Sequence, residues 1–406
     1  MRKLFNFCFL AVLAGSIYGC GKSTNKAAID AFNNGQKAYE NKDFDSAVAD
    51  FTKAIELDPK FVNAYSCRGD GYIELKAYSE AIADCTKAIG LDPKHANAFT
   101  VRGNAYRLLG KYPESLADCT KAIELDPKYV KAFSNRGNAY ADLKEYPKAL
   151  ADYTKAIELD PKYVKAYNNR GNAYSELKKY PEALADCTKA IELDPKYVKA
   201  YNNRGNAYSG SKKYPEALAD YTKAIELDPK YVKAYNNRGN VYADLKDYPE
   251  AIADFTKAIE IDPQDIYAYN NRGYAFAYLK EYPEAIADYT KAIELNPKYV
   301  KTYNNRGIAY GELKKYPEAI ADCTKAIELD PKNVYAYNNR GYAYRLLGKY
   351  PEAIADYTKA IGLDPKNVKA YNNRGYAYKS LGKNKEAEAD QTKASNLEKL
   401  QKRNGL

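Results

Sequence analysis

Apolar and small residues return along this chain with a helical spacing, and the spacing itself repeats. In one stretch Tyr167, Gly171 and Tyr174 fall at i, i+4 and i+7. A little further on, Ala183, Cys187, Ala190 and Ile191 fall at i, i+4, i+7 and i+8. Each set lies on one face of a helix. Pro181 suits the first turn of the second helix, where a missing N–H costs nothing. Asp194-Pro195 ends that helix, because the residue before a proline is pushed out of the α region. Small Gly171, Ala183 and Ala190 let the two helices approach, and the tyrosines fill the spaces between them. The predicted building block is a helical hairpin.

That hairpin is copied along the chain. Prolines from Pro59 to Pro365 stand 34 residues apart, and a second set from Pro113 to Pro351 keeps the same period. Counting from Ala28, eleven repeats of 34 residues reach Gln401: 28–61, 62–95, 96–129, 130–163, 164–197, 198–231, 232–265, 266–299, 300–333, 334–367 and 368–401. They are numbered 1 to 11 below. Residues 402–406 form a short tail. The ends differ from the middle, as a stacked array requires. Repeat 1 lacks the second proline and has Asn34 where the others have Arg. Repeat 11 lacks both prolines, and Glu388, Gln391, Ser395 and Glu398 make its last helix a polar cap.

These residues resemble the tetratricopeptide-repeat family. Tyr167 stands where that family often has Trp. Gly171, Tyr174, Ala183, Ala190 and Pro195 match directly, and Cys187 takes a position that is usually aromatic. Arg170 and its equivalents replace the family's Leu. The resemblance covers 28–401 and implies an all-α fold, a right-handed superhelical solenoid of eleven helix-turn-helix repeats. It also implies that the first helix of each repeat lines an inner, concave face.

Composition agrees with duplication of a short unit: 43 Tyr, no Trp, one Met and one His. The net charge of +10 is spread through Lys-rich turns, which reads as a solvated surface rather than a polyanion site. The cysteines do not form a disulfide framework. Cys85, Cys119, Cys187 and Cys323 occupy one equivalent position, and stacked helices lie about 8–10 Å apart. A disulfide needs Cα atoms within about 7 Å. They read as small core residues, and Cys67 has no assigned role.

The N-terminus carries a separate message. Met1-Arg2-Lys3, an apolar run from Leu4 to Ala14 and small residues after it make a secretory leader over 1–19. Ile17-Tyr18-Gly19-Cys20 resembles the lipobox of bacterial lipoproteins, with a bulky Tyr18 where a small residue is usual. The resemblance implies acylation of Cys20, which becomes the new N-terminus. Residues 20–27 are then a polar tether reaching at most about 25–30 Å, and the chain is held to a bacterial membrane. Gly21 after the Cys favours the outer membrane, facing the periplasm. An uncleaved membrane anchor and a leader cut without lipidation stand as alternatives.

A second regularity is ionic. Arg appears at one position in repeats 2 to 11, from Arg68 to Arg374, and an Asp follows sixteen residues later in every repeat, from Asp50 to Asp390. Repeat 1 has the Asp without the Arg. The expectation is a buried ladder in which each Arg reaches back to the Asp of the preceding repeat, Arg238 to Asp220 for example. A structural role outweighs a ligand role here.

No catalytic constellation is present: His95 is the single His, and there is no metal cluster, phosphate loop or nucleophile with a base partner. No enzyme activity, cofactor or metal is expected. Superhelical relatives use a recurrent Asn on the inner face to hold extended peptide. The matching residues are Asn135, Asn169, Asn203, Asn237, Asn271, Asn305, Asn339 and Asn373. An amide donates and accepts together, so it can read main chain; duplication without selection explains the series as well. Three residues on, the chemistry changes, from Asn104, Asn138, Asn172, Asn206 and Asn240 to Tyr274, Ile308, Tyr342 and Tyr376. Lys131, Lys165, Lys199 and Lys233 add positive charge to the amide-rich part. The expected function is a membrane-tethered scaffold that binds protein or peptide segments in this groove, with a role in envelope assembly. The alternative is a binding module for cell-wall or exported polysaccharide. RNA binding, as in a sister helical-repeat family, is disfavoured by the leader, so no nucleic-acid partner is expected.

Overall fold

The structure, a computed structural model, describes Ser23 and residues 25–403. The leader, Cys8 and Cys20 lie outside the described residues, as do 404–406. Every described element is an α-helix, 22 in all, from Lys26–Glu40 to Asn384–Arg403. By its contacts the chain divides into two compact halves, 1–212 and 213–406, each described by itself below. The division falls between the two helices of repeat 6.

Repeat 5 shows how the sequence makes the hairpin. Its first helix spans Val164–Glu176 and its second Tyr180–Leu193. Lys178 turns the chain between them at φ +58°, in the left-handed region. That conformation lets the Lys178 and Lys179 N–H groups bond the Ser175 and Tyr174 carbonyls at 2.9 Å, closing the end of the first helix. Pro181 sits in the first turn of the second helix. Asp194 leaves that helix extended, and its carboxylate accepts the Lys196 N–H at 3.0 Å, which sets the chain up for the next hairpin.

The two helices touch through small residues. Ala183, Cys187 and Ala190 are fully buried. A Cβ on Gly171 would come within 2.7 Å of Cys187 Sγ and 3.2 Å of the Ala183 carbonyl, so glycine is what permits this approach. The position of Cys187 holds buried Tyr153, Phe255, Tyr289 or Tyr357 in other repeats. Cys85, Cys119, Cys187 and Cys323 are buried and form no disulfide among the described residues. Burial pushes the Cys119 and Cys323 thiols up to about 12. They are core atoms, not nucleophiles.

Candidate functional site: the face of the first helices

The arginine ladder has a different connection from the expected one. Arg238 donates Nε and Nη2 to Asp254 Oδ2 and Oδ1, both at 2.8 Å, within its own repeat. Its remaining Nη1 donates to Thr222 Oγ1 of the preceding repeat at 2.9 Å. Arg68, Arg102, Arg136, Arg170, Arg272, Arg306, Arg340 and Arg374 do the same with their own Asp and the preceding Thr. The expected Arg238–Asp220 pair is therefore corrected. Two residues along a helix is a rotation of about 200°. Asp220 and Thr222 thus look to opposite sides, and it is Thr222 that faces the next repeat. The fork fastens each hairpin and the third bond ties it to its neighbour. Repeat 1 has no predecessor to supply a Thr, and its Asp50 is only half-buried. The Arg170 guanidinium is raised above its ordinary value, first by the bond to Asp186. It also lies 5.8 Å from the centre of the Tyr167 ring, in cation–π range.

The recurrent asparagines also bond along the array. Asn169 donates Nδ2 to Asn138 Oδ1 at 2.9 Å, Asn203 to Asn168 at 3.0 Å, Asn271 to Asn240 at 3.0 Å and Asn305 to Asn270 at 3.2 Å. Asn135 donates to the Thr100 carbonyl at 3.4 Å. The structure thus gives these amides a role that spacing could not show: each links its repeat to the one before. The series ends near the C-terminus. Asn373 Nδ2 of this series is buried with no hydrogen-bond partner among the described residues, as are Asn236 Oδ1, Asn304 Oδ1 and Asn338 Oδ1 at the position before the series. Asn237 and Asn339 are half-buried.

The position three residues on is half-buried at Asn104, Asn138 and Asn206 and exposed at Asn172 and Asn240. In the second half Tyr274, Ile308, Tyr342 and Tyr376 are between 39% and 55% exposed. Two tyrosines that pattern-reading passed over, Tyr267 and Tyr335, are 64% and 75% exposed. They replace the lysine of Lys131 and Lys165, which is the signal that could have found them. Tyr278 stacks on Tyr248 with centroids 5.0 Å apart, and its hydroxyl lies 3.0 Å from that of Tyr274.

In the first half the first helices line a cavity of about 550 Å³. Lys131, Lys165 and Lys199 lie on it, with Asn135, Asn138, Asn169 and Cys67. So do Asp70 and Glu74 of repeat 2, which pattern-reading missed. Asp70 is the acid that stands where the following repeats have Asn104 and Asn138. Burial raises the Asp70 carboxyl above its usual range, against the pull of Lys131 and Lys165. Burial, then Lys131, lowers the Lys165 ammonium. Arg107 is already spent, donating Nη1 to Asp142 Oδ2 at 2.7 Å. Among the described residues no group of side chains is arranged to hold a metal ion, and no helix is long and apolar enough to cross a membrane.

Family models described as tetratricopeptide repeat match residues 32–96, each 34-residue segment from 130 to 333, 323–355 and 368–399; one described as TPR repeat matches 103–144 and 341–382. The chain belongs to the tetratricopeptide-repeat family. Its TPR array is the fold of a protein-interaction scaffold. None of the curated proteins compared with it matches. Among solved structures it is similar to that of YrrB, described as a TPR protein with an unusual peptide-binding site. The identity is 29% over 45% of this chain and 95% of that one, with a TM-score of 0.40. Yeast Tom70 aligns at 19% identity over 92% of this chain and 93% of its own, with a TM-score of 0.43. The Cut9–Hcn1 hetero-tetramer of the APC/C aligns at 15% identity over 96% and 95%, with a TM-score of 0.45.

Proposed function

We propose that this TPR protein is a non-catalytic scaffold that binds extended protein segments along its first helices, and that a lipid on Cys20 holds it to a bacterial membrane, with a role in envelope assembly. The observation that carries the binding reading is the row of exposed tyrosines on the first helices, Tyr267, Tyr274, Tyr335, Tyr342 and Tyr376. The half-buried amides Asn271, Asn339 and Asn373 stand in the same repeats. A peptide main chain offers both N–H and C=O to the amides, and the rings supply apolar contact with few rotors to freeze. The outer helices offer instead short Lys–Glu pairs such as Lys325–Glu328 at 2.9 Å.

The test is site-specific photocrosslinking of the full chain in cell extract. A benzophenone amino acid at position 342 or 376 captures partners, and the same probe at exposed Lys359 on a second helix does not. Equal capture from all three positions removes the groove from consideration. For the anchor, a palmitate analogue labels the wild type and not Cys20→Ala; an unlabelled wild type ends the lipoprotein reading. The stacked Tyr248–Tyr278 pair favours the second reading, a polysaccharide-binding module, because sugar rings also stack on exposed aromatic faces. Retention on immobilised cell-wall glycan that Tyr278→Ala abolishes would support that reading over peptide.

A further inference from the structure

Two recurrent sets of opposite charges close into pairs. The Arg–Asp forks lie at 2.6–2.8 Å and the outer Lys–Glu pairs at about 3 Å. The cavity of the first half holds another set of opposite charges. Asp70, Glu74, Lys165 and Lys199 all line it, and none has a salt bridge among the described residues. Yet the two signs sense one another. Asp70 feels Lys131 and Lys165, and Lys165 feels Glu74 and Asp70. Asp70 and Glu74 belong to the first helix of repeat 2, Lys131 to that of repeat 4, Lys165 to repeat 5 and Lys199 to repeat 6. The cavity is thus lined by an acidic wall from repeat 2 and a basic wall from repeats 4 to 6.

We propose that this cavity selects a peptide segment carrying charges of both signs, with an acidic side chain seated against Lys131, Lys165 and Lys199 and a basic one against Asp70 and Glu74. The inference rests on the groove reading above and adds its specificity. Each wall rejects what the other attracts. A purely acidic segment meets Asp70 and Glu74, and a purely basic one meets Lys165 and Lys199; repulsion between like charges discriminates as firmly as contacts attract. A mixed segment gives both signs a counter-charge: partly buried Asp70 and exposed Glu74 on one side, exposed Lys165 and Lys199 on the other. The volume of about 550 Å³ falls in the ordinary range for a bound small segment. Asp70 is the one acid in the series Gln36, Asp70, Asn104, Asn138, Asn172 and Asn206, so repeat 2 is set apart from its copies at the position that matters.

The probe is a library of heptapeptides randomised over Ala, Ser, Glu and Lys, captured on the immobilised full chain and sequenced by mass spectrometry. Peptides holding both Glu and Lys are enriched over single-sign peptides by about tenfold, as two solvent-accessible ion pairs acting together would give. In Asp70→Asn/Glu74→Gln the Lys requirement disappears and all-Glu peptides rise. In Lys165→Gln/Lys199→Gln the Glu requirement disappears. Both variants keep the wild-type circular dichroism and melting curve, since none of the four side chains is in a structural pair. Enrichment that ignores Lys content, a wild-type preference retained in Asp70→Asn/Glu74→Gln, or no enrichment at all overturns the proposal. Crosslinking from positions 342 and 376 is unaffected by any of these results, so failure of the charge selection is separable from failure of the groove.

Discussion

Arg238 illustrates how much one side chain does in this array. Its fork neutralises a buried carboxylate inside the hairpin while its last N–H holds the previous hairpin. Removing it alone leaves Asp254 buried without its partner, which costs about 3 kcal/mol. In denaturant-unfolding double-mutant cycles, Arg238→Ala couples strongly to Asp254→Ala and weakly to Asp220→Ala. Strong coupling to Asp220 instead would restore the between-repeat pairing. Glycines separate in the same way. Gly171→Ala forces a Cβ to 2.7 Å from Cys187 Sγ and destabilises by about 1–3 kcal/mol. Gly311→Ala meets nothing within 4 Å in a helix and stabilises by up to about 1 kcal/mol. Thermal unfolding that ranks the two alike would contradict this packing.

At the scale of the helical hairpin, the inner turn is the weak point. Eight repeats place a lysine there at positive φ, among them Lys178 at +58°, whereas repeats 3, 10 and 11 use Gly110, Gly348 and Gly382. The left-handed region costs an L-residue roughly 1–2 kcal/mol relative to glycine. Part of that gain is lost to the freedom glycine has in the unfolded chain. Lys178→Gly is therefore expected to raise stability by about 0.5–1 kcal/mol, seen as a higher urea midpoint with an unchanged slope. A lower midpoint would mean that the lysine side chain contributes something its exposure does not suggest.

The whole molecule is held together by repetition of neighbour contacts, so its stability is close to a sum over repeats. Each junction uses the same Arg-to-Thr bond at the same sixteen-residue offset. Deleting 266–299 as one block brings Arg306 opposite Thr256 in place of Thr290, in equivalent surroundings. The shortened chain should keep its helicity, unfold cooperatively and lose about a tenth of its urea slope, since that slope follows the surface exposed. Deleting 17 residues instead would place two first helices in succession and should abolish cooperative unfolding. If both deletions behave alike, the repeats are not the interchangeable units that their contacts imply.

The helical hairpin, its period and its distinct ends were legible from the chain alone. They depend on local quantities: the phase of small and apolar residues around one helix, the proline positions and the turn residues between. The buried cysteines were legible for the same reason. The partner of each polar side chain was not. A helix phase says which face a residue occupies, not which neighbour covers that face. Arg238 could have met Asp220 or Asp254 on spacing grounds, and the antiparallel packing within the hairpin chose Asp254. The asparagine series was legible as a series, yet only stacking showed that Asn169, Asn203, Asn271 and Asn305 bond to the repeat before. Asp70 reads as a lone departure in repeat 2; tertiary structure alone brought it opposite Lys131 and Lys165, because charges 61 and 95 residues apart meet only when the intervening repeats are stacked.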